Sequence, residues 1–120
     1  MILITGATGF LGHHLVPYLV QSGHSLRAVV RPSSNTHFLH KLGVELAFVE
    51  DITDAPAITQ ACAGCEAIIH AAGLFRFWGE EEEFWQTNVG GTTAVLHAAK
   101  QHPIKRFIHI STIAVVGKPP

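Results

Sequence analysis

Five short apolar runs, separated by longer amphipathic stretches, constrain the fold of this chain more than any other feature of its sequence. The runs are Ile2–Ile4, Leu26–Val30, Val44–Val49, Ala67–His70 and Arg106–Ile110. They are rich in β-branched residues and apolar at consecutive positions, as is typical of strands buried on both faces of a parallel sheet. The stretches between them predict helices at about Phe10–Gln21, Thr36–Leu42, Ala55–Cys62 and Glu81–Gln101. This alternation predicts an α/β fold, in which a doubly wound parallel sheet of strand order 3-2-1-4-5 lies between two layers of helices.

Residues at the ends of the predicted helices agree with this assignment. Gly23, Gly43 and Gly64 each follow a predicted helix and precede a strand, where glycine commonly ends a helix. Asp54 directly precedes the third helix, where its carboxylate can cap the first turn.

The composition excludes several classes of function. The chain has 120 residues, of which 48% are hydrophobic and 14% charged, so a single domain with a substantial core is expected. The formal net charge is −1 and there is no basic run, so neither nucleic acid nor a membrane surface is an expected partner. No apolar stretch approaches the roughly 18 residues of a membrane span, and no signal peptide is recognised, so we expect a cytoplasmic protein.

A glycine-rich turn joins the first predicted strand to the first predicted helix. Its sequence is Thr5-Gly6-Ala7-Thr8-Gly9-Phe10-Leu11-Gly12. Gly6 permits a tight turn, Gly9 lets backbone N–H groups approach phosphate oxygens, and Gly12 lets the helix pack against the strand. Because a helix N-terminus also carries partial positive charge, the turn is predicted to bind a dinucleotide pyrophosphate. An ordinary strand–helix turn with incidental glycines is the alternative.

The turn resembles the cofactor fingerprint of the extended short-chain dehydrogenase/reductase family, which includes sugar epimerases, dehydratases and dihydroflavonol-type reductases. Four later segments are similar to segments of that family and occur in the same order. They are Asp51-Ile52, His70-Ala71-Ala72-Gly73, Asn88-Val89-Gly90-Gly91-Thr92, and Ser111-Thr112 ahead of Val116-Gly117. The resemblance covers the whole chain. It implies that residues 1–120 form a Rossmann-type domain that binds a dinucleotide cofactor and a small-molecule substrate.

The resemblance also implies a set of cofactor contacts. They are Thr5, Gly6, Gly9, Phe10, Leu11, Gly12, Asp51, Ile52, Ala71, Ala72, Gly73 and Asn88. The Asp51 carboxylate would accept from the adenine amino group and Ile52 would cover the ring, although Asp51 could instead form a turn. Asn88 is expected on the inward side of the long helix, whose apolar stripe is predicted to include Phe84, Val95 and Leu96. His70 is expected to pack at the end of its strand rather than to act as a catalytic base.

The residue that follows the second strand predicts the cofactor. An acidic side chain there would hold a ribose 2′-hydroxyl, but this sequence has Arg31-Pro32-Ser33-Ser34. A guanidinium with neighbouring hydroxyls suits a 2′-phosphate, so we predict NADP in preference to NAD. The same pattern is similar to dihydroflavonol-type reductases. A solvated loop arginine is the alternative.

The resemblance implies a catalytic tyrosine, a lysine four residues later, and a serine or threonine that binds the substrate oxygen. The last of these matches Thr112, with Ser111 as the alternative, or both hydroxyls could simply end the strand. Tyr18 is the only tyrosine, and no Tyr-x-x-x-Lys pair occurs. Since the chain ends at Lys118-Pro119-Pro120, where the tyrosine helix should follow, we expect a fragment of a longer protein rather than a natural truncation. The full-length form is expected to be a homodimer.

Three other signals remain open. Cys62 and Cys65 form a Cys-x-x-Cys, but they end a helix instead of beginning one, so packing is favoured over a redox pair. The scattered histidines and single cysteine pair predict no metal site. Phe75, Phe77 and Trp78 could line a substrate pocket or pack on the surface.

Together these observations predict the cofactor-binding part of an oxidoreductase, epimerase or dehydratase. Its expected substrate is a small molecule with a hydroxyl or carbonyl group, such as a nucleotide sugar or a flavonol- or steroid-like compound. The 120-residue chain alone is expected to bind NADP weakly and to have no activity. A non-catalytic NAD(P)-sensing module with the same fold is the alternative.

Overall fold

One parallel sheet forms the centre of the molecule in the computed structural model, which describes residues 1–74, 78–112 and 116–117. Its strands within these ranges are β1 (Ile2–Thr5), β2 (Leu26–Val30), β3 (Glu45–Phe48), β4 (Ala67–His70) and β5 (Arg106–His109). Their order across the sheet is β3-β2-β1-β4-β5, and each neighbouring pair is parallel. The predicted fold class and strand order are therefore confirmed.

The helices lie between the strands as predicted. They are α1 (Phe10–Gln21), α2 (His37–Lys41), α3 (Ala55–Ala61), α4 (Glu81–Phe84) and α5 (Gly91–Lys100). The Asp54 side chain caps α3, because its Oδ1 accepts a 3.1 Å hydrogen bond from the backbone N–H of Ala57. None of the helices in the described ranges is long and apolar enough to cross a membrane.

A π-helical segment at Trp85–Gly90 separates α4 from α5, so the long helix is not the continuous α-helix that its sequence predicts. Short π segments frequently lie at functional sites. The buried stripe of α5 is Gly91, Ala94, Val95 and Ala98. Leu96 is 45% exposed, and its predicted place in this stripe is wrong because it lies about 100° beyond Val95 around the helix. Phe84 is half-buried.

Both faces of the sheet are covered by helices. Along β1 successive side chains point to opposite faces. Leu3 packs in one buried cluster with Ile58 of α3 and Val95 of α5. Ile4 packs in a second cluster, with Val16 of α1 and Leu39 of α2. The sheet is therefore the middle layer of three.

The expectation that every strand is buried on both faces holds for the three central strands alone. β1, β2 and β4 are almost wholly buried, whereas most residues of β3 and β5 are half-buried or exposed. β3 and β5 lie at the two edges of the sheet, where a strand has one neighbour instead of two. Phe48 of β3 is accordingly 62% exposed.

The Arg27 side chain links β2 to the end of α3 through hydrogen bonds. Its Nη1 donates 2.6 Å hydrogen bonds to the carbonyl oxygens of Ala61 and Ala63, and its Nε donates to Glu45 of β3 at 3.0 Å. Last-turn carbonyls of a helix have no partner within the helix, so a cation placed there stabilises the helix end.

The two cysteines lie beneath this contact. Cys62 and Cys65 are both free and buried. Burial raises the pKa of Cys62 to about 11 and also raises the pKa of Cys65, even though the Arg27 guanidinium opposes the shift. A redox pair needs a lowered thiol pKa, so this environment supports the packing interpretation of the Cys-x-x-Cys.

Candidate functional site

The glycine-rich turn lies at the carboxyl end of β1, in the middle of the sheet. β1 pairs with β2 on one side and with β4 on the other, so the chain reverses its winding direction at this strand. In open parallel sheets the crevice at such a switch point is where ligands bind. The segment that follows β4 reaches the same edge, so residues 5–12 and 71–74 share one crevice.

Gly6 and Gly12 are required by contacts within the chain. Gly6 has a left-handed backbone, with φ +76°, and a Cβ on it would lie 2.7 Å from both Ala71 C and Ala72 N. A Cβ on Gly12 would overlap the backbone of Ala7. The close approach at Gly12 is therefore to the turn itself, and not to the strand as the sequence predicts.

Gly9, in contrast, has no such contact within the described part of the chain. Its backbone is extended, with φ −82° and ψ −176°, which any residue can adopt. A Cβ on Gly9 would meet its nearest neighbour, the carbonyl oxygen of Gly6, at 3.4 Å, which is ordinary van der Waals contact. The space beside Gly9 is left open by the fold.

The first turn of α1 presents its backbone N–H groups to this open space. Gly9 occupies the N-cap position, and no side chain caps the helix there. The first turn also contains no acidic residue. Uncapped N–H groups together with the helix dipole favour an anion at this place. Phe10 and Leu11 of this turn are exposed.

The backbone of residues 71–74 is fixed from both sides of the crevice. Thr5 Oγ1 accepts hydrogen bonds from the backbone N–H groups of Ala71, at 3.2 Å, and Ala72, at 3.1 Å. The Asn88 side chain holds Leu74, since Oδ1 accepts from Leu74 N at 2.6 Å and Nδ2 donates to Leu74 O at 3.2 Å. Asn88 is exposed rather than inward-facing, and its amide contacts the main chain of the segment that follows β4. A Cβ on Gly73 would lie 3.3 Å from Asn88 Oδ1.

His70 is buried between these segments. Its Nδ1 lies 2.7 Å from Thr5 Oγ1 and its Nε2 lies 2.9 Å from Thr92 Oγ1. Burial, together with the neighbouring His109, lowers the pKa of His70 to about 4, so the ring is neutral at neutral pH. The geometry agrees with the expected packing role at the end of β4.

Asp51 and Ile52 lie in the loop between β3 and α3. Asp51 Oδ1 accepts hydrogen bonds from the backbone N–H of Thr53, at 2.9 Å, and from its hydroxyl, at 2.8 Å. These two bonds, the backbone one foremost, lower the pKa of the Asp51 carboxyl. The carboxylate therefore forms a turn through one of its two oxygens. Ile52 is half-buried against the core cluster of α3 and α5.

Arg31 begins the loop between β2 and α2 and is exposed. A cavity of about 420 Å³ opens beside this loop, between it and the glycine-rich turn. Its lining residues are Thr8, His13, Ser34, Asn35, His37 and Phe38. His13 and Phe38 form one wall, with stacked rings 4.1 Å apart, and His13 Nδ1 donates to Gly9 O at 2.8 Å. Neither residue is among the predicted cofactor contacts, because their contact with each other depends on how α1 and α2 pack.

The predicted substrate hydroxyls follow β5. Ser111 and Thr112 are exposed just beyond Ile110, whose backbone N–H donates to His70 O at 3.0 Å. They therefore lie past the same edge of the sheet as the glycine-rich turn. Trp78 is 72% exposed, whereas Phe75 and Phe77, like residues 113–115 and 118–120, lie outside the described residues. Across residues 1–74, 78–112 and 116–117, no three His, Cys, Asp or Glu side chains are grouped to hold a metal ion.

Several known proteins are similar in sequence to this chain. The profile of the NAD dependent epimerase/dehydratase family matches residues 2–120. A putative dihydroflavonol 4-reductase from Synechocystis sp. is 34% identical over 115 residues, covering 95% of this chain and 33% of that protein. A 3-beta-hydroxysteroid dehydrogenase from Mycolicibacterium neoaurum is 34% identical over 122 residues, covering 96% of this chain and 32% of that protein. The chain thus spans about a third of the length of the curated relatives it matches.

A solved structure shares the fold. It is the crystal structure of a short-chain dehydrogenase/reductase superfamily protein from Agrobacterium tumefaciens with bound NAD, with a TM-score of 0.79 and 28% identity, covering 98% of this chain and 34% of that one. The family match spans nearly every residue, and the fold is similar to that of this solved structure. The chain therefore belongs to the NAD-dependent epimerase/dehydratase family, within the short-chain dehydrogenases/reductases.

Proposed function

We propose that residues 1–120 form the NADP-binding domain of an enzyme that acts on a hydroxyl- or carbonyl-bearing carbon of a small molecule. The single observation that carries the proposal is the open space beside Gly9. Gly6 and Gly12 are explained by contacts within the chain, but Gly9 has an ordinary backbone, and a Cβ on it would meet no described atom closer than 3.4 Å. Glycine at this position is explained if a bound ligand occupies the space that a side chain would fill.

The chemistry of the crevice fits a pyrophosphate. The first turn of α1 offers backbone N–H groups with no capping side chain and no competing carboxylate. The backbone of Ala71–Gly73 lies opposite, held by Thr5 and Asn88. We propose that these two stretches of backbone contact the dinucleotide, and that Asp51 and Ile52 hold its adenine.

The charge of Arg31, together with a cavity lined by later residues of the same loop, supports NADP in preference to NAD. The cavity of about 420 Å³ contains donors suited to a phosphate, among them Ser34 and Asn35. Among the described residues no carboxylate lines the cavity, whereas NAD enzymes provide an acidic partner for the ribose 2′-hydroxyl. A guanidinium can form charge-assisted, bidentate hydrogen bonds with a 2′-phosphate.

The reaction is proposed from the position of Thr112 and from the relatives. When bound, a nicotinamide cofactor supplies hydride transfer to or from a carbon that carries oxygen. Thr112, or Ser111 beside it, would donate a hydrogen bond to the substrate oxygen and so orient that carbon. Relatives named as a dihydroflavonol reductase and a hydroxysteroid dehydrogenase support oxidation or reduction of a ring hydroxyl or ketone. The tyrosine and lysine of the catalytic set are not among residues 1–120.

Two further properties of the whole protein are proposed. Exposed apolar side chains follow one another along the π segment and α5, with Trp85 67% exposed and Val89 42% exposed, which supports a homodimer formed through this helix. The two buried free thiols support a reducing compartment such as the cytoplasm.

A Gly9→Ser variant tests the proposal. Serine is a better N-cap than glycine, so the free energy of unfolding should stay the same or rise by a few tenths of a kcal/mol. The same hydroxyl would occupy the N–H groups that a pyrophosphate needs, so the Kd for NADP⁺ should rise at least about tenfold. Calorimetric titration and thermal denaturation measure the two effects. If Gly9→Ser binds NADP⁺ as the wild type does, or if the wild type does not bind it, the proposal is wrong.

A further inference from the structure

A chain of three hydrogen bonds runs from the end of β1 to the π-helical segment through His70. Thr5 Oγ1 lies 2.7 Å from His70 Nδ1, His70 Nε2 lies 2.9 Å from Thr92 Oγ1, and Thr92 Oγ1 donates to Asn88 O at 2.7 Å. Thr5 and His70 are almost completely buried. Neither the proposed cofactor contacts nor the proposed substrate contact uses this imidazole.

The partners of Thr5 favour one direction for the first bond. Its Oγ1 accepts from the backbone N–H of Ala72 at 3.1 Å and shares the N–H of Ala71, at 3.2 Å, with the carbonyl oxygen of Thr5. Because both N–H groups approach the lone pairs of Oγ1, the hydroxyl hydrogen is better placed to point to His70, with Nδ1 as the acceptor.

The partner of Thr92 fixes the other end independently. The carbonyl oxygen of Asn88 can only accept, so the Thr92 hydroxyl hydrogen is donated to it. Thr92 Oγ1 can then receive only a donor from His70, and Nε2 must carry the proton. The Thr92 end therefore requires the neutral tautomer that the Thr5 end favours, and the three hydrogen bonds run in one direction from Thr5 to Asn88.

This series of hydrogen bonds joins Thr5 and Asn88, the two residues that hold the segment after β4. Thr5 binds the backbone N–H groups of Ala71 and Ala72, and the Asn88 side chain binds Leu74 on both its N–H and its carbonyl. The backbones of Gly6 and Ala71 are so close that a Cβ on Gly6 would lie 2.7 Å from Ala71 C. A small shift of residues 71–74 would therefore change the width of the crevice.

We propose that His70 is a positioning residue, whose Nε2-protonated imidazole sets the distance between residues 71–74 and the glycine-rich turn, and so the fit of the dinucleotide. The inference rests on the proposed function for its ligand, but its geometry is a property of the protein alone. The ring acts through Thr5 and Asn88 and does not touch the ligand. Protonation of Nδ1 would break this series of hydrogen bonds. The titratable side chain that stacks on His70 is His109 of β5, and the two ring centroids are 5.7 Å apart.

Thr92 and Thr93 provide a matched pair of variants. Both hydroxyls donate to the carbonyl four residues earlier, Thr92 to Asn88 at 2.7 Å and Thr93 to Val89 at 2.8 Å. Within the described part of the chain, only the Thr92 hydroxyl also lies within hydrogen-bond distance of His70. Thr92→Val should raise the Kd for NADP⁺ about tenfold, since it leaves His70 Nε2–H without its acceptor. Thr93→Val should change it less than about twofold, and Thr92→Ser should restore it.

Two measurements without nucleotide keep this inference separate from the proposed function. Nitrogen-15 NMR of His70 should show the proton on Nε2 between pH 6 and 8, and amide hydrogen exchange at Ala72 and Leu74 should be about tenfold faster in Thr92→Val than in Thr93→Val. A proton on Nδ1, or equal exchange and equal NADP⁺ affinity in the two valine variants, would overturn the inference. If the wild type binds no NADP⁺, the proposed function falls, and the tautomer and the exchange rates still decide the role of His70.

Discussion

A Cβ on Gly91 would lie 2.9 Å from Cγ2 of Ile52, so the start of α5 touches the loop between β3 and α3 with no room for a side chain. Asn88 and Thr92 lie just before and just after Gly91 in the same helical segment. This segment therefore also sets the position of Ile52, the residue proposed to cover adenine. The same helical segment therefore positions both the backbone after β4 and the loop proposed to hold adenine.

Replacing Gly91 by alanine should push Ile52 out of place. We expect the free energy of unfolding to fall by about 1–3 kcal/mol, as in other overpacked cores, and NADP⁺ affinity to fall with it. Gly90→Ala is the matched control, because its Cβ would meet Thr53 Cγ2 at 3.3 Å and needs only a small adjustment. Urea denaturation of both variants measures the difference. Equal stability of the two variants would show that Ile52 moves freely.

Replacing Arg31 by glutamine should weaken the binding of NADP⁺ but not the binding of NAD⁺. A lost charge-assisted hydrogen bond to a phosphate should raise the Kd for NADP⁺ about tenfold to a hundredfold, with the Kd for NAD⁺ unchanged. Arg106→Gln is the control, since Arg106 is an exposed arginine at the amino end of β5, away from the crevice. Titration of each variant with both nucleotides is the measurement. A parallel loss of both affinities would exclude 2′-phosphate recognition by Arg31.

Replacing Arg27 by methionine should destabilise the domain without a direct effect on the site. The variant leaves the carbonyl oxygens of Ala61 and Ala63 without their 2.6 Å donors, which should lower the free energy of unfolding by about 2–3 kcal/mol. Glu45→Gln removes only the exposed ion pair and should cost less than about 1 kcal/mol. Chemical denaturation compares the two. A larger loss in Glu45→Gln would mean that the ion pair, and not the helix end, is what Arg27 stabilises.

The low pKa of His70 predicts a loss of stability in mild acid. The folded-state pKa of about 4 lies below the usual value near 6.5, so between these values the unfolded chain binds a proton that the folded chain does not. Stability should be complete above pH 6.5 and should fall towards pH 4 with a slope approaching about 1.4 kcal/mol per pH unit from this group. His70→Gln should remove that part of the slope, and His24→Gln, at an exposed turn, should leave it. Identical pH profiles for His70→Gln and the wild type would contradict the prediction.

The two thiols should be inert in the folded protein. With the pKa of Cys62 raised to about 11 and that of Cys65 also raised, their thiolate fractions are small at neutral pH. We expect reaction with a disulfide reagent to be about a hundredfold slower than after unfolding in urea. Rapid labelling of the folded chain at one thiol would revive the redox interpretation of the Cys-x-x-Cys.

The strands and the glycine-rich turn could be predicted from the sequence because their signals are local. Runs such as Leu26–Val30 carry the pattern of a buried strand, and Gly6 lies at a turn that needs a left-handed residue. The order of the strands followed from the handedness of the crossovers.

The contacts that organise the site could not be predicted, because they join residues that are distant in the chain. Thr5 and His70 are separated by 65 positions, and the Arg27 contact with Ala61 spans 34. The π-helical segment at Trp85–Gly90 keeps a sequence pattern close to that of an α-helix, so its change of register is visible only in the structure.

The central claim is that the first turn of α1 holds a dinucleotide pyrophosphate, and the most direct measurement is an amide NMR titration of the wild-type chain with NADP⁺. We expect the largest chemical-shift changes at the N–H groups of Phe10, Leu11 and Gly12, with further changes at Ala71–Gly73. Unchanged resonances in that turn at saturating NADP⁺, or changes confined to other parts of the molecule, would contradict the claim.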